Sequence, residues 1–312
     1  MENAVVVKNL QKKFGDFTAV NDISFNVVQG EIFSLLGPNG AGKTTTISML
    51  SGLLQNDYGD AWIAGHSIRS DAQAARAALG VVPQDIALYL DLSARENLDF
   101  WGKMQGLRGK LLKQRVEETL EIIGLADRQK DKVGSFSGGM KRRVNIGAAL
   151  LHHPQVIIMD EPTVGIDPQS RRHILDSVKQ FNQSGMTVVY TTHYMEEAEE
   201  LSHHIAIMDQ GRLVAYGTHA ELIKLVGEFT RIVLTLNCEP DRIIPIWEKV
   251  EGLQKTYIEN GKIIALVNDS NLVLPRLFEG AARSGVRITS LEISEPNLES
   301  VFLQLTGRAL RD

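Results

Sequence analysis

The sequence predicts an α/β fold with a largely parallel sheet, followed by a small α+β module. Up to about residue 225, short β-rich runs alternate with helical stretches, as in a parallel sheet flanked by helices. The predicted buried strands are 31–36, 79–82, 156–159, 187–190 and 205–208. After residue 226 the order becomes strand, helix, hairpin, helix and strand, which is typical of a ferredoxin-like module.

The remaining elements complete two predicted domains, 1–225 and 226–312. Strand signals vanish between residues 92 and 133, and two stretches with helical apolar spacing predict a helical insertion, part of a subdomain of about 92–153. These helices are 94–104 and 111–123. In the second domain we expect strand 230–236, helix 241–250, a hairpin turning at Asn260 and Gly261, helix 272–284, strand 286–293 and helix 296–305.

Composition excludes several classes of protein. With 43% hydrophobic and 23% charged residues, the chain is an ordinary globular one, and its net charge of −5 provides no basic field for nucleic acid. Its apolar runs are shorter than the roughly 18 to 20 residues that span a bilayer. The first 13 residues lack the pattern of a signal peptide, and Cys238 is the only cysteine. We therefore expect a cytosolic protein.

The segment GPNGAGKT at 37–44 lies between an apolar run and a helical run, which is the context that a phosphate loop requires. Glycines let backbone N–H groups converge on phosphate oxygens at a helix N-terminus. Lys43 can neutralise the β and γ phosphates, and the Thr44 hydroxyl can ligate Mg²⁺. These residues predict nucleotide binding.

Two adjacent acids end the apolar run at 156–159. Asp160 would bind Mg²⁺, through water, and Glu161, which points the other way along the pleat, would act on the attacking water as a general base. An acidic turn after a core strand is the alternative, and the phosphate loop favours the functional interpretation.

A second helix start suited to anions lies at 136–140, with the sequence FSGGM. A flexible loop capped by Ser137 is the alternative. One nucleotide has one triphosphate, so this second site, 94 residues after Lys43, predicts that two chains share each nucleotide.

Together these motifs closely resemble those of the ATP-binding-cassette (ABC) ATPases. The resemblance covers about the first 220 residues and rests on GPNGAGKT, Gln84 in VVPQD, FSGGM, VIIMDEP, GIDP at 165–168 and His193 in TTHYMEEAE. FSGGMKRR, DEPTVGIDP and TTHYMEEAE look like the branch of single-cassette exporter ATPases, and 295–308 looks like the ending of drug-exporter ATPases. The resemblance implies a P-loop NTPase domain with a parallel core sheet, an antiparallel β subdomain and a helical subdomain. ATP and Mg²⁺ are the implied cofactors.

The resemblance also implies residues that bind the nucleotide and the metal. Phe14 would stack on the adenine ring, unless it is a core aromatic beside the first strand. The metal would be held by Thr44, Gln84 and Asp160. The nucleotide-binding residues of the loop are Gly37, Pro38, Asn39, Gly40, Ala41, Gly42, Lys43, Thr44 and Thr45.

The implied catalytic residues are Lys43, Gln84, Glu161 and His193. Gln84 would touch Mg²⁺ or the attacking water and transmit its state to the membrane partner. His193 would grip the γ-phosphate and position the water, since a neutral imidazole can both donate and accept a hydrogen bond.

The signature segment, by the same resemblance, serves the nucleotide of the partner chain. Ser137 and Gly139 would contact its γ-phosphate, and Asp167 would lie across the dimer seam. The segment consists of Phe136, Ser137, Gly138, Gly139 and Met140. Its sequence differs from the usual family sequence at Phe136, where leucine is usual, and at Met140, where glutamine is usual. The seam loop also departs, with Gly165 and Ile166 where serine, alanine or leucine are frequent. The glycines and acids are retained, so we expect hydrolysis at both equivalent sites.

These roles predict a cycle in which ATP and Mg²⁺ hold two chains head to tail, as a homodimer or pseudo-dimer, and hydrolysis releases them. The family passes this motion to integral membrane permease subunits through the Gln84 segment and the helical insertion. We expect a peripheral protein on the cytoplasmic face of the membrane, with no nucleic-acid partner. A set of apolar residues would form a socket for a partner helix or else pack the insertion's own core: Ala87, Leu88, Tyr89, Leu92, Phe100, Trp101 and Met104.

Two other functions compete with an exporter ATPase. One is a soluble ABC-type ATPase acting on nucleic acid or ribosomes, but such proteins carry paired cassettes, long coiled-coil insertions or basic surfaces, which this sequence lacks. The other is a nucleotide-gated scaffold without turnover, and Glu161 and His193 argue against it. A ferredoxin-like fold assigns no function to the C-terminal module, which could stabilise a dimer or regulate closure.

Overall fold

The computed structural model describes residues 2–225, 229–295 and 297–306. The chain divides into two compact units between His219 and Ala220. Val226, the predicted start of the second domain, and Pro296, the predicted start of the last helix, lie outside the described residues, as do residues 307–308 of the family-like ending. No helix in the described ranges is both long and apolar enough to cross a membrane.

In the described part of the first unit there are ten strands, with helices between them. The strands are β1 (Asn3–Phe14), β2 (Phe17–Val28), β3 (Ile32–Leu36), β4 (Tyr58–Ile63), β5 (His66–Ser67), β6 (Leu79–Val82), β7 (Val156–Asp160), β8 (Thr187–Thr192), β9 (His204–Asp209) and β10 (Arg212–Gly217). The helices are α1 (Lys43–Leu50), α2 (Ala72–Ala77), α3 (Ala94–Met104), α4 (Gly109–Ile122), α5 (Gly138–Leu150), α6 (Pro168–Gln183) and α7 (Met195–Leu201).

The central sheet has the order β10-β9-β3-β8-β7-β6, and every neighbouring pair is parallel except β9 with β10. All five predicted core strands are present, so the parallel sheet is confirmed. Each residue of β3, β7 and β8 is buried, because helices or the second sheet cover both faces. Parallel neighbours end at the same edge, and this edge collects the residues after β3, β7 and β8.

A second, antiparallel sheet has the order β2-β1-β4-β5. Its first hairpin turns through Gly15 and Asp16, with Phe14 paired to Phe17, and Gly15 supplies the positive φ of 59° that a two-residue turn requires. Apolar residues of β1, β2 and β4 share one core with β3, β7 and α1. The implied antiparallel subdomain is therefore confirmed.

The helical insertion is also confirmed. Helix α3 has the predicted bounds and begins with a capping box, in which Ser93 Oγ accepts from Glu96 N and the Glu96 carboxylate accepts from Ser93 N. Helix α4 begins two residues before the predicted start and ends one residue before the predicted end. Helices α3, α4 and α5 share a separate apolar core, which contains Leu98, Val116 and Val144.

The second unit has a four-stranded antiparallel sheet of order β12-β13-β11-β14. Its hairpin turns at Asn260 and Gly261, both with positive φ, as the sequence predicts. Helix α8 begins at the division between the units. The elements are α8 (His219–Lys224), β11 (Thr230–Leu236), α9 (Ile244–Trp247), β12 (Leu253–Glu259), β13 (Lys262–Val267), α10 (Ser270–Arg283), β14 (Ile288–Ser294) and α11 (Leu298–Thr306).

The predicted helix 241–250 is wrong in its extent. The chain instead forms a 3-10 turn, Pro240–Arg242, followed by the four-residue α9. A continuous helix from Asp241 would need the N–H of residue 245 to pair with the carbonyl of residue 241, and Pro245 has no N–H.

Candidate functional site

The phosphate loop connects β3 to α1, where the sequence places it. Gly42 caps α1 with a φ of 105°, and a Cβ there would lie 2.5 Å from the carbonyl oxygen of Ala19. A Cβ on Gly37 would lie 2.2 Å from the carbonyl oxygen of Met208. Backbone passes so closely on both sides that only glycine fits at either position. Lys43, the first residue of α1, is buried and donates from Nζ to the carbonyls of Gly37 and Pro38 at 2.6 and 3.0 Å.

Asp160 ends β7, beside the end of β8. Its Oδ1 accepts a hydrogen bond from Thr191 Oγ1 at 2.6 Å. Burial raises the pKa of Asp160, against the opposing effect of hydrogen bonds from the Thr191 and Thr44 hydroxyls. The carboxylate is thus held at the sheet edge, close to the first turn of α1.

Glu161, the residue after Asp160, contacts the phosphate loop through its side chain. Its Oε1 lies 2.9 Å from Lys43 Nζ, and its Oε2 lies 3.2 Å from Nδ1 of His193, which directly follows β8. All three side chains are buried. A carboxylate oxygen only accepts, so this contact is a hydrogen bond when Nδ1 of His193 carries a proton. The structure therefore brings together three predicted catalytic residues from three adjacent strand ends.

The backbone at Glu161 is strained. Its φ of 44° lies in the left-handed region, which is uncommon for a residue other than glycine. The Glu161 N–H donates to the carbonyl oxygen of Thr191 at 3.2 Å and to its Oγ1 at 3.0 Å. Thr191 thus holds both acids, Asp160 by the side chain and Glu161 by the backbone. Strained residues of this kind cluster at functional sites.

The donor set at this edge fits Mg²⁺. The cation prefers hard oxygen ligands, and it is usually held by one or two carboxylates together with substrate phosphates. Asp160 and the hydroxyl of Thr44 provide oxygen atoms beside the loop, and burial of the carboxylate favours a cation as its partner. Among the described residues, no group of three or more His, Cys, Asp or Glu side chains could form a self-contained metal site.

Two predicted residues lie outside this group of buried side chains. Gln84 is exposed, two residues beyond β6, at the same sheet edge as Asp160. The carbonyls of Pro83 and Gln84 accept from Arg142 Nη1 and Nη2 at 2.7 and 2.6 Å. Phe14 is 50% exposed, so the alternative of a core aromatic is wrong. Its role against an adenine ring stays a prediction.

The signature segment forms the start of α5. Among the described residues, no hydrogen bond joins it to the buried cluster around Glu161. Ser137 caps the helix, and its Oγ accepts from Met140 N at 3.2 Å. Gly139 packs against α6 so tightly that a Cβ would lie 2.1 Å from Ser170 Oγ. Asp167 caps α6 and accepts from Ser170 N at 2.9 Å, and this bond lowers the pKa of Asp167. Within its own chain, Asp167 therefore acts as the N-cap of α6. Its place at a dimer seam stays a prediction.

Two polar residues of the site, Thr191 and Glu197, are not predicted from the sequence. Both are buried and polar: Thr191 bonds the two acids, and Glu197 on α7 accepts four hydrogen bonds. A signal was present for Thr191, because residues 190–192, which end a buried strand, all carry hydroxyl groups that must find partners there.

The predicted socket residues do not share one environment. Tyr89 and Met104 are 50% and 67% exposed, while Phe100 and Trp101 are half-buried. Tyr89 meets Phe100 edge to face at 4.9 Å between ring centroids, and Trp101 Nε1 donates to the Ala87 carbonyl at 3.1 Å. A groove of 640 Å³ beside them is lined partly by Ala87, Trp101 and Met104.

Comparisons with known proteins show which family the chain resembles. The family model described as ABC transporter matches residues 20–164. The linearmycin resistance ATP-binding protein of Bacillus subtilis is 48% identical over 98% of this chain and 99% of its own length. The Nod factor export ATP-binding protein I of Paraburkholderia xenovorans is 38% identical over 100% of this chain and 99% of its own.

Solved structures give the same result. An ATP-binding subunit of an ABC transporter has a TM-score of 0.65 and 29% identity, covering 72% of this chain and 93% of its own. A dimeric ATP-binding cassette in a post-hydrolysis state, bound to ADP and phosphate, has a TM-score of 0.62 and 27% identity, covering 69% and 98%. The chain therefore belongs to the ABC transporter family, as one of its ATP-binding, ATP-hydrolysing subunits.

Proposed function

We propose that this chain hydrolyses ATP with Mg²⁺ at sites shared by two head-to-tail copies, and that this cycle drives export through a membrane-spanning partner. The observation that carries the proposal is the contact of Glu161 with both Lys43 and His193, at 2.9 and 3.2 Å. The names of the relatives support export, since they refer to linearmycin resistance and Nod factor export.

In this proposal the phosphate loop binds and neutralises the triphosphate. The buried Lys43 Nζ lies where the loop carbonyls of Gly37 and Pro38 converge, so a small movement of its flexible stem would bring the charge to the β and γ phosphates. Backbone N–H groups at the start of α1 add the positive end of a helix dipole. The exposed Phe14 would stack on the adenine ring.

Asp160 and Thr44 would hold Mg²⁺, with Gln84 at the same edge, and the bound cation would supply charge neutralisation for the leaving phosphates. Glu161 would act as the general base toward water, since its carboxylate is buried and fixed by contacts on both oxygens. His193 would orient that water and the γ-phosphate. Phosphoryl transfer depends mainly on such positioning.

The partner copy would complete each site with its signature segment. Ser137 and Gly138 are exposed at the N-terminus of α5, where the first backbone N–H groups have no partner within the helix. Those groups are suited to a phosphate from another chain. A solved cassette of similar fold, which is dimeric with ADP and phosphate, supports this arrangement. Asp167, at the neighbouring N-terminus of α6, would then lie at the seam.

The membrane partner would bind near Gln84 and the helical insertion. Tyr89 and Met104 expose large apolar surfaces beside the groove described above, and Arg142 anchors the backbone of the Gln84 segment to the signature helix. We place the chain on the cytoplasmic face of the membrane, bound to permease subunits that select the substrate. Tyr89→Asp should weaken co-purification of those subunits, and unchanged assembly would contradict this surface.

The second unit is proposed to be an accessory domain of the cassette dimer. Its sheet and helices enclose a separate apolar core, which includes Ile232, Trp247 and Leu277. Its function stays a prediction.

Phosphate release from MgATP by the purified full-length chain tests the proposed site. Glu161→Gln keeps the size of the side chain but removes the base, so turnover should fall by about a hundredfold or more while ATP still binds. Glu200→Gln, an exposed change on α7, is the matched control and should hydrolyse ATP at the normal rate. Normal turnover by Glu161→Gln would overturn the proposed catalytic role.

A further inference from the structure

A buried carboxylate next to the proposed site holds three chain segments together. Glu197 is 1% exposed. Its Oε1 accepts hydrogen bonds from Thr163 Oγ1 and Arg171 Nε, each at 2.7 Å. Its Oε2 accepts from Thr192 Oγ1 at 2.8 Å and from the Tyr190 hydroxyl at 3.0 Å. Four donors match the roughly four acceptor sites of one carboxylate.

The bond to Thr192 reaches the turn that carries His193. Thr192 ends β8 and directly precedes His193. Its hydroxyl donates to Glu197 and accepts from the backbone N–H of Tyr194 at 2.9 Å. Because the hydroxyl has one proton, donating it to the carboxylate directs a lone pair toward the Tyr194 N–H. Glu197 thus fixes the backbone on both sides of His193.

The other oxygen of Glu197 reaches the turn that follows Glu161. Thr163, two residues after the strained Glu161, is 2% exposed and donates to Glu197. Arg171, in α6 beyond the Asp167 cap, donates to the same oxygen. A strained backbone persists only where the surrounding structure holds it, and these two bonds tie this turn to α7 and α6.

We infer that Glu197 is a positioning residue for ATP hydrolysis, which keeps His193 and Glu161 in their reactive geometry through Thr192 and Thr163. The inference rests on the catalytic roles proposed above for His193 and Glu161. Glu197 acts on the step through its neighbours, and it also links the two turns to α6, where the seam residue Asp167 lies.

Glutamine at position 197 has nearly the same shape but replaces one oxygen by an NH₂ group, which only donates. Arg171 can only donate, so the amide oxygen would face Arg171 and the NH₂ group would face Thr192. The Thr192 hydroxyl could then only accept from the amide, and its own proton would lose the carboxylate oxygen that accepts it now. The turn that carries His193 is therefore the part most disturbed.

Glu197→Gln should lower the kcat of MgATP hydrolysis by about tenfold to a hundredfold, as for residues that support a site from outside it. The KM for ATP should change by less than about threefold, because the phosphate loop is outside the network. Glu200→Gln again serves as the control on the same helix. Its side chain is one-third exposed and pairs with Arg172 and Lys179 on the surface.

A double variant separates positioning from general stabilisation. If Glu197 acts through His193, Glu197→Gln should cause little further loss of kcat in a His193→Ala background. Equal fold losses in both backgrounds, or a wild-type kcat for Glu197→Gln alone, would overturn the inference. A wild-type rate for His193→Ala would instead overturn the proposed catalytic site, and the inference with it.

Thr192 provides a test that does not depend on the folding of the Glu197 variant. Thr192→Val removes the hydroxyl and keeps the shape, so kcat should fall as in Glu197→Gln. Thr192→Ser keeps the hydroxyl and should recover most of the lost rate. Equal rates for the valine and serine variants would contradict the role of this hydrogen bond.

Discussion

Replacing Gly139 with alanine tests how closely the signature helix approaches α6. A Cβ there would lie 2.1 Å from Ser170 Oγ and 2.2 Å from Ser170 Cβ. Ordinary carbon contacts are about 3.5 to 4.0 Å. Rotating the serine side chain would move Oγ but not Cβ, so the two helices would have to separate. The clash therefore cannot be relieved by a rotamer change.

The expected change in the free energy of unfolding combines two opposing effects. Overpacking of this kind costs about 1–3 kcal/mol, whereas alanine is favoured over glycine within a helix by about 1 kcal/mol. Gly139→Ala should therefore destabilise the protein by about 1 kcal/mol, which lowers the thermal midpoint by about 2–4 °C for a unit of this size. Gly138→Ala is the matched control, since its Cβ would meet Ile166 Cδ1 at 3.6 Å, an ordinary contact.

Thermal unfolding followed by circular dichroism measures this cost, and Ser170→Gly completes a double-mutant cycle. Ser170→Gly removes both clashing atoms, so Gly139→Ala should cost nothing in its presence, and the coupling should be about 1 kcal/mol or more. Turnover should stay low in the double variant, because the proposed shared site puts Gly139 in contact with the γ-phosphate held by the partner. An equal loss of stability with serine or glycine at position 170 would refute the packing argument.

Two further variants test other parts of the site. Burial raises the pKa of Asp160 in the folded protein, so its favourable contribution is present at low pH and is lost as the pH rises through the folded pKa. Asp160→Asn should therefore raise the thermal midpoint more at neutral than at acid pH while abolishing Mg²⁺-dependent phosphate release, and a lower midpoint at neutral pH would contradict this. Arg142→Met leaves the carbonyls of Pro83 and Gln84 without their donors and should cost about 1–3 kcal/mol in urea unfolding. It should also speed amide exchange in the Gln84 segment, and unchanged exchange would show that Arg142 does not anchor it.

Much of the fold could be predicted because the local sequence pattern favours the same structure as the tertiary packing. The buried strands read as apolar runs, and the turn at Asn260 and Gly261 needs two positive φ values that these residues tolerate. The helix predicted from Asp241 failed where Pro245 removes a hydrogen bond, a local signal that the apolar spacing concealed.

The site could be predicted only in part. Residue types at fixed spacings along the chain predict the glycine loop, Asp160 and Glu161. They do not predict the network of Glu197, because its donors come from β8, α6 and the turn after β7, and only folding brings them to one carboxylate. The packing of Gly139 on Ser170 likewise depends on how α5 and α6 approach each other.

The shared site is tested most directly by the mass of the Glu161→Gln variant in solution. Each chain has a mass of 34.5 kDa. With saturating ATP and Mg²⁺, light scattering during gel filtration should give twice that mass, and a Ser137→Glu change added to the variant should return it to the monomer. A strictly monomeric Glu161→Gln variant that nevertheless binds ATP, alone and with its membrane partner, would contradict the account.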